Sequence, residues 1–137
     1  MTQQLTRRPQ DMGRSATGTG TPAYLASAAR TTAQNGDQVE TTGFAGLRAV
    51  IDITTFSGTG SLTVTVQGLD PVSGKFYTLL ASAALAATGT TDLVVYPGCV
   101  AVANRVANVP LPRDVRVIVA VGDASSQTYS VGLQLLP

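Results

Sequence analysis

Any chemistry in this sequence has to be done without histidine, because its 137 residues contain none. That removes the usual general base, the usual proton shuttle and the commonest metal ligand together. A nucleophilic Ser or Cys needs a base beside it. Lys75, the only lysine, follows Ser73-Gly74, and a Ser–Lys pair is conceivable there. Ser-Gly-Lys is also ordinary turn chemistry, so a solvated turn lysine is the expected reading. Paired carboxylates could hydrolyse glycosides. The acids are Asp11, Asp37, Glu40, Asp52, Asp70, Asp92, Asp114 and Asp123, and most fall in turn-like stretches. Asp37 and Glu40 are close in sequence, but nothing marks them as a pair of unlike pKa. Asp52 stands mid-strand between Ile51 and Ile53. Its expected role is an outward-facing residue paired to a cross-strand arginine, with Arg116 the candidate.

Metal and cofactor chemistry finds no better footing. Cys99 is the only cysteine, so no intrachain disulfide can form; it is expected to be a small buried hydrophobe. The acids make no D-x-D-x-D-G calcium loop, and Gly18-Thr19-Gly20 is not followed by the G-K-[ST] of a phosphate loop. No catalytic, cofactor-binding or metal-binding residue is assigned, and no cofactor is expected.

The elements that would carry such groups read as strands. Leu47, Ala49, Ile51 and Ile53 alternate with Arg48, Val50, Asp52 and Thr54, the period of a half-buried strand. Leu62, Val64 and Val66 alternate with Thr63, Thr65 and Gln67; Tyr129, Val131, Leu133 and Leu135 alternate with Ser130, Gly132 and Gln134. Further strands are expected at 76–81, 91–96 and 115–121. Residues 24–30 suit a strand or a short helix, 82–89 a strand extension or a helical turn, and 99–112 are ambiguous. Asn35-Gly36, Ser57-Gly58, Asp70-Pro71 and Pro97-Gly98 punctuate the pattern as turns. About seven or eight short strands without a βαβ rhythm predict an all-β fold. The expected form is an antiparallel β-sandwich, jelly-roll or immunoglobulin-like, with a closed barrel as the alternative.

Residues 1–22 break the pattern. They hold Arg7, Arg8 and Arg14 against Asp11 and run into Ser15-Ala16-Thr17-Gly18-Thr19-Gly20-Thr21-Pro22. The expected organisation is an extended N-terminal arm over 1–22 and a β-sandwich domain over 23–137. An arm of this composition orders itself by lying on something else, and Arg7, Arg8 and Arg14 are its candidate partner-binding residues. Charged residues make up 12% of the chain, with a formal net charge of +1. That is about half the usual charged fraction, and near-zero net charge favours association. Nucleic acid is a disfavoured partner, since outside the arm the balance is slightly acidic. No apolar run nears the roughly 18 residues of a membrane span. No apolar stretch follows Arg7-Arg8 as in a secretory signal, which points to synthesis in a cytoplasm. A membrane and a small-molecule substrate are not expected.

One stretch is distinctive: Leu69-Asp70-Pro71-Val72-Ser73-Gly74-Lys75-Phe76-Tyr77-Thr78-Leu79-Leu80. With Gly43–Thr54, Leu111–Val117 and Tyr129–Gly132, it resembles small virion structural proteins of tailed bacteriophages, over about residues 24–136. The resemblance implies a non-enzymatic capsid decoration (cement) protein that binds and stabilises the shell of the major capsid protein. It further implies synthesis in a bacterial host, a place on the capsid surface, and self-association as a homo-oligomer, a trimer being one arrangement such proteins adopt. Tail, neck or fibre parts of the virion, and a carbohydrate-binding β-sandwich module, are the competing readings. The sugar-binding reading wants several exposed aromatics on one face.

Overall fold

The computed structural model describes residues 23–137. The strands are β1 (Ala23–Arg30), β2 (Gln34–Asn35), β3 (Val39–Glu40), β4 (Gly46–Phe56), β5 (Leu62–Leu69), β6 (Phe76–Ala81), β7 (Gly89–Val95), β8 (Val106–Ala107), β9 (Asp114–Val121) and β10 (Gln127–Leu136). Seven of them are six residues or longer, in line with the alternation in the sequence. The Ala-rich segment at 23–30 is a strand and not a helix. Residues 82–88 are irregular and are joined to β5 by the hydrogen bonds of Ser82 with Val64 and by a bridge from Leu85 to Leu62.

One sheet runs β1-β10-β4-β7-β8; the other runs β2-β9-β5-β6, with β3 also on β9. With β2 and β3 counted as one interrupted strand and β8 set aside, the chain changes sheet at every connection except the β5–β6 hairpin. That is the order of a jelly roll, so of the two sandwich forms expected, the jelly roll is the one adopted. The pairing is antiparallel except at β8, which runs parallel to β7 through Val94↔Val106 and Val95↔Ala107. The chain reverses twice to get there, at Gly98 (φ 93°) and at Asn104 (φ 63°), a left-handed position that asparagine tolerates.

The core is the inward half of each alternating strand. Leu47, Ala49, Ile51, Leu62, Val64, Val66, Leu93, Val95, Val115, Val117, Tyr129 and Val131 are all fully buried. Each buried Val, Leu or Ile contributes about 1.5–3 kcal/mol relative to exposure. The register is set by β4 against β10, paired from Gln127↔Phe56 to Leu136↔Gly46. A one-residue slip there would turn every apolar side chain outward. Where β4 ends, buried Gln127 imitates a strand backbone. Its Nε2 donates to the Ser57 carbonyl at 3.0 Å, and its Oε1 accepts the Ser57 N–H at 3.1 Å.

Candidate functional site

The residues singled out for chemistry are each held in local, structural hydrogen bonds. The Ser73 hydroxyl donates to Asp70 Oδ2 at 2.8 Å, and its oxygen accepts the Lys75 N–H at 3.2 Å. The Val72 N–H adds a bond to Asp70 Oδ1 at 3.1 Å. These donors, Ser73 first, hold the Asp70 carboxyl below the usual carboxylate range. The serine therefore serves the Asp70 turn and is not engaged by the Lys75 amine. Asp123 is arranged alike: the Ser125 hydroxyl first, then the Ser125 N–H at 2.8 Å and the Thr59 hydroxyl at 3.1 Å, hold its pKa down. Glu40 accepts the Thr42 hydroxyl at 2.7 Å, and no bond joins it to Asp37.

The pairing expected between Asp52 and Arg116 does not form. Asp52 lies on β4 and accepts the Thr90 hydroxyl of β7 at 3.3 Å. Arg116 lies on β9 in the other sheet, 3.7 Å above the Phe76 ring, and donates to Gln67 Oε1 at 2.9 Å. Alternation assigns a residue to a face but not to a sheet, and the two outer faces point in opposite directions. Cys99 is half-buried, not buried as expected. Its thiol donates to the Tyr96 carbonyl at 2.8 Å in the loop after β7. Among the described residues no three His, Cys, Asp or Glu side chains gather as a metal site would require. Arg7, Arg8 and Arg14 lie outside the described residues.

The remaining site candidates are surfaces. On the outer face of the first sheet, Asp92 is shared by Arg105 at 2.9 Å and Arg48 at 3.8 Å. Such exposed pairs contribute about 0–1 kcal/mol each. The outer face of the second sheet presents Thr63, Thr65 and Gln67 of β5 with Arg116, Ile118 and Ala120 of β9. Along these strands it carries two charges, Arg116, engaged by Phe76 and Gln67, and Asp114 at the start of β9, paired with Arg113 at 3.2 Å. A shallow pocket of about 270 Å³ is lined by Ile53 and residues 84–91. No ionisable side chain faces it, so it offers space without chemistry.

Among the described residues, the exposed large apolar ones are Val72 (94% exposed), Val100 (85%), Val102 (49%) and Tyr77 (46%). They fall along one side of the sandwich. Val72 sits in the turn before β6, Tyr77 in β6, and Val100 and Val102 in the loop before β8. Asn104 fastens that loop to β6 by donating from Nδ2 to the Ala81 carbonyl at 3.0 Å. The sequence reading missed this cluster. Its signal was the uncharged run Val100-Ala101-Val102-Ala103 between Pro97-Gly98 and Asn104. Tyr77 is the one exposed aromatic of the seven, so no aromatic platform of the kind sugars stack on is formed.

No protein-family model matches the chain, and no curated protein does. Among solved structures, it is similar to a chain in the structure of infectious bursal disease virus, Gx strain, with a TM-score of 0.45 and 12% identity. That match covers 82% of this chain and only 29% of the viral one.

Proposed function

We propose that the protein is a non-enzymatic structural part of a virion, a decoration (cement) protein that binds the major capsid protein and stabilises its shell. The observation that carries this reading is the outer face of the second sheet. It is a pleated surface of Thr, Ala, Ile and Gln whose charges along β5 and β9, Arg116 and Asp114, each have a partner within the chain. Such a face can pack closely on another protein without desolvating an unpaired charge. The resemblance of the 69–80 segment to tailed-phage virion proteins points the same way. Jelly rolls serve viral capsids, lectins and cupins alike, and fold alone does not choose among them. The aromatic placement gives the lectin-like use no support. Repetition over a shell turns a modest contact into firm attachment through avidity.

The test is co-sedimentation of the purified protein with undecorated phage capsids, titrated to saturation. Saturable binding at a fixed ratio to the major capsid protein is the expected result. Failure to bind, with the protein recovered in tail fractions of the virion, would replace the capsid assignment with a tail, neck or fibre role.

A further inference from the structure

Asn35-Gly36 reads as a turn in the sequence, yet Asn35 belongs to β2 and lies opposite Ile118 of β9. Asn35 is exposed. The N–H of Gly36 donates to the Val117 carbonyl at 2.9 Å. Tyr24 closes over this stretch. Its ring fills the space that a side chain at position 36 would take, and its hydroxyl donates to the Asp37 carbonyl and accepts the Val117 N–H at 3.1 Å.

An asparagine followed by glycine is able to modify itself. The glycine nitrogen attacks the asparagine Cγ and forms a C–N bond there. The bond from Cγ to the side-chain nitrogen breaks, and ammonia leaves with the proton that the glycine nitrogen gives up. The five-membered imide then takes up one water at either carbonyl, which leaves aspartate or isoaspartate. Glycine favours the attack because it carries no side chain to crowd its nitrogen and its backbone turns freely.

We propose that Asn35 is a self-modification site of this kind, held shut by Tyr24. Three features of the closed state oppose the reaction. Ring closure needs the Gly36 nitrogen to eclipse the Asn35 Cβ about the Cα–C bond, and the extended backbone of a strand, with ψ near about +135°, keeps the two far apart. The Gly36 N–H is engaged by the Val117 carbonyl, and that bond has to break before attack. The Tyr24 ring packs against Gly36 and blocks the turn of the peptide. All three yield when Tyr24 leaves, because β2 is two residues long and pairs with β9 alone among the described strands. The glycine that the ring requires is thus the glycine that makes Asn35 labile once the ring departs. The step is one-way: isoaspartate adds a backbone carbon to β2, and either product adds negative charge two residues from Asp37, so the register with β9 is not regained.

The experiment follows the amide-to-acid mass gain by peptide mapping of the full chain in mildly alkaline buffer, below the pH of about 10 at which tyrosines ionise. Asn104 and Asn108, the other asparagines, precede Arg105 and Val109 and serve as internal controls. The folded chain should react at Asn35 about thirtyfold or more slowly than the same chain in guanidinium chloride, since opening breaks at least two hydrogen bonds. Tyr24→Phe and, more strongly, Tyr24→Ala should speed the folded chain at Asn35 alone, with thermal melting to show that each variant is folded. Asn35→Ser should abolish the gain. Ser82→Ala, which weakens the fold away from this stretch, should leave the rate nearly unchanged. Equal rates in the folded and unfolded chain, a folded-state rate indifferent to Tyr24→Phe, or Ser82→Ala acting as strongly as Tyr24→Phe would overturn the proposal. So would an unfolded chain that gains no mass at Asn35. Capsid binding plays no part in this readout, so failure here leaves the proposed function untouched.

Discussion

The ring of Tyr24 occupies the space that a side chain at position 36 would need. A Cβ built on Gly36 overlaps the Tyr24 ring and hydroxyl. The tyrosine starts on β1 in the first sheet and reaches the second. There its hydroxyl donates to the Asp37 carbonyl and accepts the Val117 N–H. Gly36 itself donates to the Val117 carbonyl at 2.9 Å. One side chain thus completes the pairing of β9 where β2 and β3 are interrupted. Gly36→Ala is expected to destabilise the fold by about 1–3 kcal/mol, as overpacking does. Tyr24→Phe should cost about 1–3 kcal/mol by leaving the Val117 N–H without an acceptor. Urea unfolding of both variants checks this; a neutral Gly36→Ala would mean that the ring can move aside freely.

The same tyrosine gives the protein an alkaline limit. Burial, with the Asp37 carboxylate adding to it, pushes the Tyr24 hydroxyl up to about 12 from its ordinary value of 10.0, against the opposing pull of the Val117 N–H and Arg116. Burial also raises Tyr129. The folded state therefore holds the phenolic proton more tightly than the unfolded chain does. Stability from this source is complete below about pH 10 and falls as the pH rises towards about 12. Urea midpoints measured across that window should decline with pH, and Tyr24→Phe should decline less steeply. Parallel slopes would show that Tyr24 titrates alike in both states.

Arg30 fastens the irregular part of β1. Between Leu25↔Val131 and Ala28↔Tyr129 the register shifts, which leaves strand carbonyls without ladder partners. The guanidinium donates to the Tyr129 carbonyl at 2.7 Å and also to that of Ala26, while lying 4.6 Å from the centre of the Tyr129 ring. A lysine keeps the charge but not the planar fork. Arg30→Lys should therefore recover little of the roughly 1.5–3 kcal/mol lost in Arg30→Ala. Hydrogen exchange should quicken in β1 first, and exchange that quickened equally in β4 and β10 would contradict a local role.

The strands were legible because each buries one face, and that face writes its period into the sequence: Leu62, Val64 and Val66 could hardly belong to anything else. The jelly-roll order was not legible. Which sheet a strand joins depends on connections such as Gly98 and Asn104, whose conformations redirect the chain without any hydrophobic pattern. The mistaken Asp52–Arg116 pair has the same origin. Tyr24 and Arg30 were missed because a partner about a hundred residues away leaves no local trace. The turn around Asp70, Ser73 and Lys75 was read correctly, since all its hydrogen bonds are local.

Ser82 ends the ladder of β6 with its side chain. Its N–H donates to the Val64 carbonyl at 2.8 Å, its Oγ accepts the Val64 N–H at 2.9 Å, and its hydroxyl donates to the Ala83 carbonyl at 2.7 Å. The hydroxyl oxygen takes the place of the strand carbonyl and lets the chain leave the sheet one residue early. Ser82 is buried, as is Val64. Ser82→Ala should cost about 1–3 kcal/mol, the penalty of a buried donor without an acceptor. Ser82→Thr keeps the hydroxyl and should recover most of it. Equal losses in the two variants would assign the effect to packing.

Removing residues 1–22 separates folding from attachment. Among the described residues, the core lies between Val39 and Leu135, and the partly buried apolar residues packed on it begin at Tyr24. A chain starting at Ala23 retains all of them, together with the Tyr24 bridge and the Arg30 fastening. Its thermal midpoint is expected to stay within about 2–4 °C of the full chain, the shift of a change near 1 kcal/mol or less in a domain of this size. If the arm with Arg7, Arg8 and Arg14 grips the capsid, the truncated protein should bind shells more weakly and with a smaller dependence on salt, because three cationic contacts are gone. Unchanged affinity with an unchanged midpoint would take the arm out of the attachment and leave the outer face of the second sheet to supply it alone.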